Sequence, residues 1–324
     1  MFLRLSLTAI MAVAICGPLD PAAAQPYPNR PITLVVPFPP GGSTTIVARI
    51  IAEKMSETLG QTIVIDNRGG AGGTVGTRAA AKSPPDGYTI LLSYTATMAI
   101  GPYVQAAAGY DPRKDFAPIG RIGATPMVIV VHPSVEAKSV ADLIGLIKKS
   151  PTPYQFGSAG VSTVGHLAGE LFAYQAKLKM AHIPYKGTGP MMTDLLGGHI
   201  KLTFTNIPSA HGSVASGKLR ALAVASARRS PMMPDVPTAS QSGLPGYEAG
   251  LLYGLSAPAG TPKEAIDRLN KELRAALASP DVMKRLATEG AEALPSTPQE
   301  YAADIERENA VYSKLIKAIG LKAK

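Results

Sequence analysis

The sequence predicts an α/β protein of two lobes with a ligand cleft between them. Two observations carry that prediction. A unit of strand, Gly-rich loop and helix runs from Ile32 to Gly60, and a second unit of the same make runs from Tyr154 to Phe172. Length agrees: 324 residues, less a leader, suit two domains at roughly 100–200 residues each.

The leader comes first. Arg4 is a basic head, Leu5 to Ile15 an apolar run, and Ala22-Ala23-Ala24 a small-residue cleavage site before Gln25, so residues 1–24 read as a secretory signal peptide. The run is too short for a membrane span. Cys16, the single cysteine, lies inside it, behind Ile15 rather than the small residue that a lipoprotein anchor needs. The mature chain is expected to be exported and to carry no disulfide or thiol chemistry.

In the first unit, Ile32-Thr-Leu-Val-Val36 is an apolar, β-branched run that reads as a buried parallel strand. Pro37, Pro39 and Pro40 end it, since proline has no N–H for a ladder. Gly41 and Gly42 let the backbone bend and approach a ligand closely. From Ser43 on, apolar residues recur at helical spacing (Ile46, Ile50; Val47, Ile51, Met55, Leu59) until Gly60. The N–H groups at the positive end of that helix make an anion seat. Spacing alone leaves open a plain βα turn that needs glycine for geometry. The second unit is what favours a seat.

Gln61 to Asp66 is a strand, and the loop from Asn67 to Gly76 imitates two nucleotide motifs without completing either. A dinucleotide fingerprint needs glycine where Val75 stands, and a P-loop needs Lys where Thr77 follows Gly76. The loop is expected to pack closely at the lobe edge and open a helix over Thr77–Lys82. Asp86-Gly87 turns into a third strand that ends at Ser93-Tyr94-Thr95, where parallel sheets bind ligands. Those hydroxyls either meet a ligand or cap the next helix. Phe116 to Val131, broken by Gly120, Gly123 and Pro126, suits an extended crossover between lobes.

Ser139 and Asp142 form a capping box ahead of a helix over Leu143–Lys149. The second unit follows: Tyr154-Gln-Phe156, the loop Gly157 to Thr163, then a helix with apolar face Val164, Leu167, Leu171 and Phe172. Ser158, Ala159, Gly160 and Thr163 belong to its seat, and His166 sits one turn into its helix. His182 to Tyr185 is a short strand before Lys186, and Pro190 is placed to begin a helix ending at Gly197-Gly198. Ile200 to Thr205 alternates as a strand, Leu219 to Ala225 is taken as the return crossover, and Gly254 to Ala257 reads as a strand. Thr261 with Glu264 and Thr297 with Glu300 are further capping boxes, and Ser279-Pro280 starts a helix between them.

The net charge is +9, unchanged when Arg4 and Asp20 leave with the signal peptide. Lys and Arg are scattered, Trp is absent and no basic–aromatic stripe appears, which argues against nucleic acid as a partner. No serine-hydrolase elbow exists: Phe156 takes the first glycine position around Ser158, and Pro258 the last around Ser256. His132, His166, His182, His199 and His211 show no metal-ligand spacing. The polar groups converging on the cleft are N–H, hydroxyl and Lys186, which hold an anion and do not transform it. An enzyme is therefore disfavoured, and no cofactor or metal is expected.

Ten motifs in order resemble one family. They are Val36-Pro-Phe-Pro-Pro-Gly-Gly-Ser43; Asp66-Asn-Arg-Gly-Gly-Ala-Gly-Gly73; Pro85-Asp-Gly-Tyr88; Gly157-Ser-Ala-Gly160 with His166-Leu-Ala-Gly-Glu-Leu-Phe172; Pro184-Tyr-Lys-Gly187; Asp194-Leu-Leu-Gly-Gly198; Gly217-Lys-Leu-Arg-Ala-Leu-Ala223; Asp235-Val-Pro-Thr238; Leu244-Pro-Gly-Tyr247; and Ala257-Pro-Ala-Gly-Thr-Pro262. Across essentially the whole mature chain the sequence is similar to the extracytoplasmic solute receptors of tripartite tricarboxylate transporters, also called Bug-type receptors. The resemblance implies a type II periplasmic-binding-protein fold, with a discontinuous first lobe (25–124 and 227–324) and an inserted second lobe (125–226).

It also implies a monomeric, periplasmic binding protein that delivers a small organic carboxylate to membrane permease subunits. A receptor presenting its ligand to a sensor kinase and, less favoured, an exported hydrolase are the alternatives. The ligand is expected between the Gly41–Thr44 and Gly157–Thr163 loops, often through bridging waters. With Phe38 and the residues above, the candidate ligand-binding set is Phe38, Gly41, Gly42, Ser43, Thr44, Ser93, Thr95, Ser158, Ala159, Gly160, Thr163, His166, Lys186 and Thr205. The family usually carries an acid where this chain has Thr45, and commonly another where it has Thr205. Both changes remove negative charge that would hold a substrate amine.

Overall fold

A computed structural model describes residues 27–40, 43–105 and 108–321. The signal-peptide expectation, and the seat residues Gly41 and Gly42, lie outside the described residues.

The first half of the chain alternates strand and helix. β1 (Ile32–Val36) leads to α1 (Ser43–Leu59), and β2 (Ile63–Asn67) to a 3₁₀ turn (Ala71–Gly73) and α2 (Thr74–Ala81). β3 (Thr89–Tyr94) runs into a π-helical turn (Ala96–Ile100) and α3 (Gly101–Val104). The apolar run of β1 lies between β2 and β3, parallel to both, with Ile32 opposite Ile63 and Thr33 opposite Thr89. Val47, Ile51 and Met55 of α1 are fully covered, whereas Ile46, at the same helical spacing as Ile50, is 38% exposed. Burying each covered side chain is worth about 1.5–3 kcal/mol. α2 begins three residues before the expected Thr77, because Gly73 adopts a left-handed conformation that turns the chain into the helix directly.

β4 (Phe116–Val131) is one continuous strand, with register shifts between Pro118 and Gly120 and between Arg121 and Gly123. The glycines that break the apolar pattern thus mark bulges and do not end the strand. β4 leads to α4 (Val140–Lys149), β5 (Tyr154–Ser158), α5 (Val164–Ala176), β6 (Met180–Pro184), α6 (Thr188–Leu196), β7 (Leu202–Asn206), α7 (Ile207–Ala215) and β8 (Arg220–Val224). Gly169 brings α5 flush onto the sheet, since a Cβ there would overlap the Phe156 ring. Pro190 stands third in α6 and not first.

After β8 comes an irregular stretch, then β9 (Gly250–Pro258), α8 (Lys263–Leu277), α9 (Pro280–Thr288), β10 (Glu292–Ala293) and the long α10 (Pro298–Ala318). Thr297 and Glu300 form the full capping box of α10. Thr261 does not cap α8: its hydroxyl donates to Pro258 O at 2.8 Å, and Pro262 takes the cap position. The expected return crossover also needs correction. β8 pairs with the second half of β4, Val128 to Val131, and the strand running back beside the first half is β9, from Gly250 opposite Pro126 to Pro258 opposite Phe116.

The two lobes are built alike. In the first, β2-β1-β3 are parallel and β9 lies antiparallel between β3 and β4. In the second, β6-β5-β7 are parallel and β4 lies antiparallel between β7 and β8. β1 and β5 therefore hold the same place, as do α1 and α5. The β1–α1 and β5–α5 loops thus follow the carboxyl ends of equivalent parallel strands, the usual ligand position in such sheets.

Candidate ligand-binding site

In the first lobe the loop after β1 is fixed from behind by Asn67, the last residue of β2. Its Nδ2 donates to Phe38 O at 2.9 Å and to Thr45 Oγ1 at 3.0 Å. Thr45, 1% exposed, donates in turn to Pro39 O at 3.4 Å. The Phe38 ring meets Tyr94 edge to face, with centroids 4.8 Å apart. Gly73 lets the second loop press in behind, since a Cβ there would lie 2.9 Å from the Phe38 ring and 3.2 Å from Pro37 O. The 67–76 loop, expected to pack closely at the lobe edge, does so against the β1–α1 loop. Thr44 is half-buried in the first turn of α1, which carries no acid.

The loop after β5 is held by its own hydroxyls. Ser158, with no exposed surface, accepts from Gly160 N–H at 3.1 Å and lies 2.9 Å from Gly160 O and 2.6 Å from His182 Nε2. Thr163 caps α5: it accepts from His166 N–H at 3.3 Å and donates to Gly160 O at 2.8 Å. Ala159 O accepts from Gly187 N–H at 3.0 Å, which ties the loop to the end of β6.

Beneath this loop two imidazoles stack, His166 on His182, with centroids 3.8 Å apart. His166 is 4% exposed, and its Nδ1 accepts from Ser162 N–H at 3.1 Å. Burial, and His166 alongside, depress His182 to about 4, because an imidazolium there would lose water and face a second ring. His182 is thus uncharged at neutral pH, and the donors of the loop are dipoles.

The remaining candidates divide. Thr205, 5% exposed, is the penultimate residue of β7, before Asn206, which caps α7. Lys186 is exposed just past β6. Ser93 and Thr95 have their hydroxyls turned into the protein. Ser93 Oγ lies 2.9 Å from both Ser256 Oγ and Tyr301 OH. Thr95 Oγ1 donates to Glu308 Oε1 at 2.9 Å and accepts from Leu252 N–H at 2.8 Å. Asn67 and His182 were not singled out in the sequence. Asn67 sits within a quoted motif, yet only the β1–β2 pairing shows what it touches. The signal for His182 is its register opposite Phe156, which only the β5–β6 pairing reveals.

The sequence profile of the tripartite tricarboxylate transporter family receptor matches residues 47–321. This chain belongs to that receptor family. BugT of Bordetella pertussis is 37% identical over 326 residues, covering 99% of this chain and all of BugT. Rpa4515 of R. palustris, solved with adipate, is 37% identical with a TM-score of 0.78, over 92% of this chain and 100% of that one. MatC of Rhodopseudomonas palustris, solved with bound malate, is 31% identical with a TM-score of 0.74, over 90% and 100%. Tripartite tricarboxylate receptors are solute-binding proteins as a class, and their two-lobed fold is the one seen here. Among the described residues no helix is long and apolar enough to cross a membrane.

Proposed function

We propose that this receptor captures a small organic carboxylate lacking an amine, between the β1–α1 and β5–α5 loops. The observation that carries the reading is the equivalence of those loops, one at the same position in each of two lobes of the same strand order. A carboxylate at one end of the ligand meets Phe38 and the 41–44 segment. The other end meets the backbone of Ala159 to Thr163, with Lys186 and Thr205 at the margin. Helix N-termini and peptide N–H groups favour an anion there without a buried countercharge.

Thr45 is covered and bonded to Asn67 and Pro39, so this position offers a bonded hydroxyl and not a carboxylate to an ammonium. An unpaired buried ammonium is costly, and so a dicarboxylate or hydroxy acid outranks an amino acid. The adipate and malate of the two R. palustris relatives support this class.

The protein works in the periplasm after loss of residues 1–24, as a monomer without cofactor or catalysis. It hands its ligand to the permease subunits of a tripartite transporter. Residues 125–226 form the inserted lobe, and 25–124 with 227–324 the other. Mass spectrometry of the small molecule released on denaturing the purified protein tests the ligand class. A carboxylate without an amine is expected, and an amino acid would contradict it.

A further inference from the structure

A cavity of about 810 Å³ lies at the junction of the lobes, and it shares no residue with either Gly-rich loop. Its size falls in the range of small-molecule sites, roughly 300–1,000 Å³. Both lobes and the crossover line it. Leu171 and Gln175 come from α5, Leu252 from β9, and Glu308, Val311 and Tyr312 from α10.

Glu308 is the ionisable group that decides the chemistry. Its Oε1 accepts from Thr95, and among the described residues no Lys, Arg or His stands within ion-pair distance of it. The adjacent Arg307 is bonded to Asp304. Glu308 keeps surface where it lines the cavity and is otherwise enclosed.

The other charged groups around the cavity are already engaged or stand at its mouth. Arg228 holds Glu292 at 2.7 Å, Arg229 donates to Gln241 Oε1 and Pro234 O, and Glu248 is exposed. Tyr301 and Tyr312 flank Glu308 on its own helix, both with phenols pushed up by burial. Desolvation raises the Glu308 carboxyl to about 8, against the opposing bond from Thr95.

We propose that this junction cavity is a second ligand site, for a small apolar amine whose ammonium pairs with Glu308 while its hydrocarbon body lies over Leu171, Leu252 and Val311. A bound cation supplies the partner that the Glu308 carboxylate lacks. A bound anion would face carboxyl lone pairs, with Arg228 and Arg307 already committed to Glu292 and Asp304. The proton balance is explicit: neutral Glu308 and R–NH₃⁺ give a carboxylate–ammonium pair, and one proton leaves to solvent.

Calorimetric titration of the mature protein with benzylamine, benzoate and benzyl alcohol tests this. Benzylamine should bind saturably at one site, tightening about tenfold per unit between pH 6 and 7.5, where Glu308 is mostly neutral in the free protein. Its enthalpy should vary with buffer in proportion to nearly one proton released. Glu308→Gln should weaken it by at least about tenfold, one pKa unit's worth of interaction. Val311→Trp, at an exposed helix position, should block the cavity without touching the carboxyl. Benzylamine binding unchanged in both variants, tighter binding of benzoate, or no saturable benzylamine binding would each overturn the proposal.

Discussion

Thr95 Oγ1 donates to Glu308 Oε1 at 2.9 Å while accepting from Leu252 N–H at 2.8 Å. Three elements therefore meet at one hydroxyl: the end of β3, the crossover strand β9 and the C-terminal helix α10. The carboxyl at the end of this relay is raised from 4.5 to about 8 by burial. An unfolded chain ionises Glu308 above about 4.5, and the folded chain does so only near 8. Its contribution is full below the lower value and is lost as pH rises through the upper one. Thermal melts from pH 5 to 9 should show a decline that is flatter in Glu308→Gln, which keeps an acceptor for Thr95 and cannot ionise. Parallel curves would show that the carboxyl does not titrate in this window.

His182 gives the opposite sign. Its folded value is depressed from 6.5 to about 4, so the unfolded chain takes up a proton across that interval and the folded chain does not. Stability tied to this ring is present above 6.5 and is lost as pH falls toward 4. In His182→Gln, which offers Ser158 an amide in place of the ring nitrogen, the loss between pH 6.5 and 4.5 should shrink. A slope equal to wild type would assign the acid sensitivity elsewhere.

Asn67 is expected to matter beyond its size. Asn67→Ala removes the donor to Phe38 O and to the buried Thr45 hydroxyl. Leaving such groups unpaired costs about 1–3 kcal/mol. The melting temperature should fall, and carboxylate affinity should fall with it, because the β1–α1 loop loses the tie that fixes its shape. A variant that melts lower yet binds as wild type would separate loop position from recognition.

Much of this architecture was legible in the chain. Apolar runs marked β1 and β3, helical spacing gave the covered face of α1 except at Ile46, and the repeated strand, Gly-rich loop, helix unit gave two lobes. What spacing could not show was partnership. Leu219 to Ala225 has the composition of a crossover, but whether it runs beside the first or the second half of β4 depends on long-range pairing. Ser93 and Thr95 sit where cleft residues sit, and only the packing of α10 reveals that their hydroxyls face Tyr301 and Glu308. His182 was hidden for the same reason, since its neighbour His166 comes from another element. Thr261 met the letter of a capping box, yet Pro262 claimed the cap.

The most direct measurement of the central claim is paired calorimetric titration of wild type and Ala159→Glu with adipate, malate, glutarate and glutamate. Ala159 is half-buried in the β5–α5 loop, so a carboxylate there reaches the proposed second seat without entering the core. Wild type should bind at least one of the amine-free acids, prefer glutarate to glutamate, and melt higher with bound acid by about 2.7 kcal/mol of stability at a hundredfold excess over Kd. Ala159→Glu should fold and lose that binding. Glutamate outranking glutarate, or acid binding within twofold of wild type in Ala159→Glu, would contradict capture of an amine-free carboxylate between the two loops.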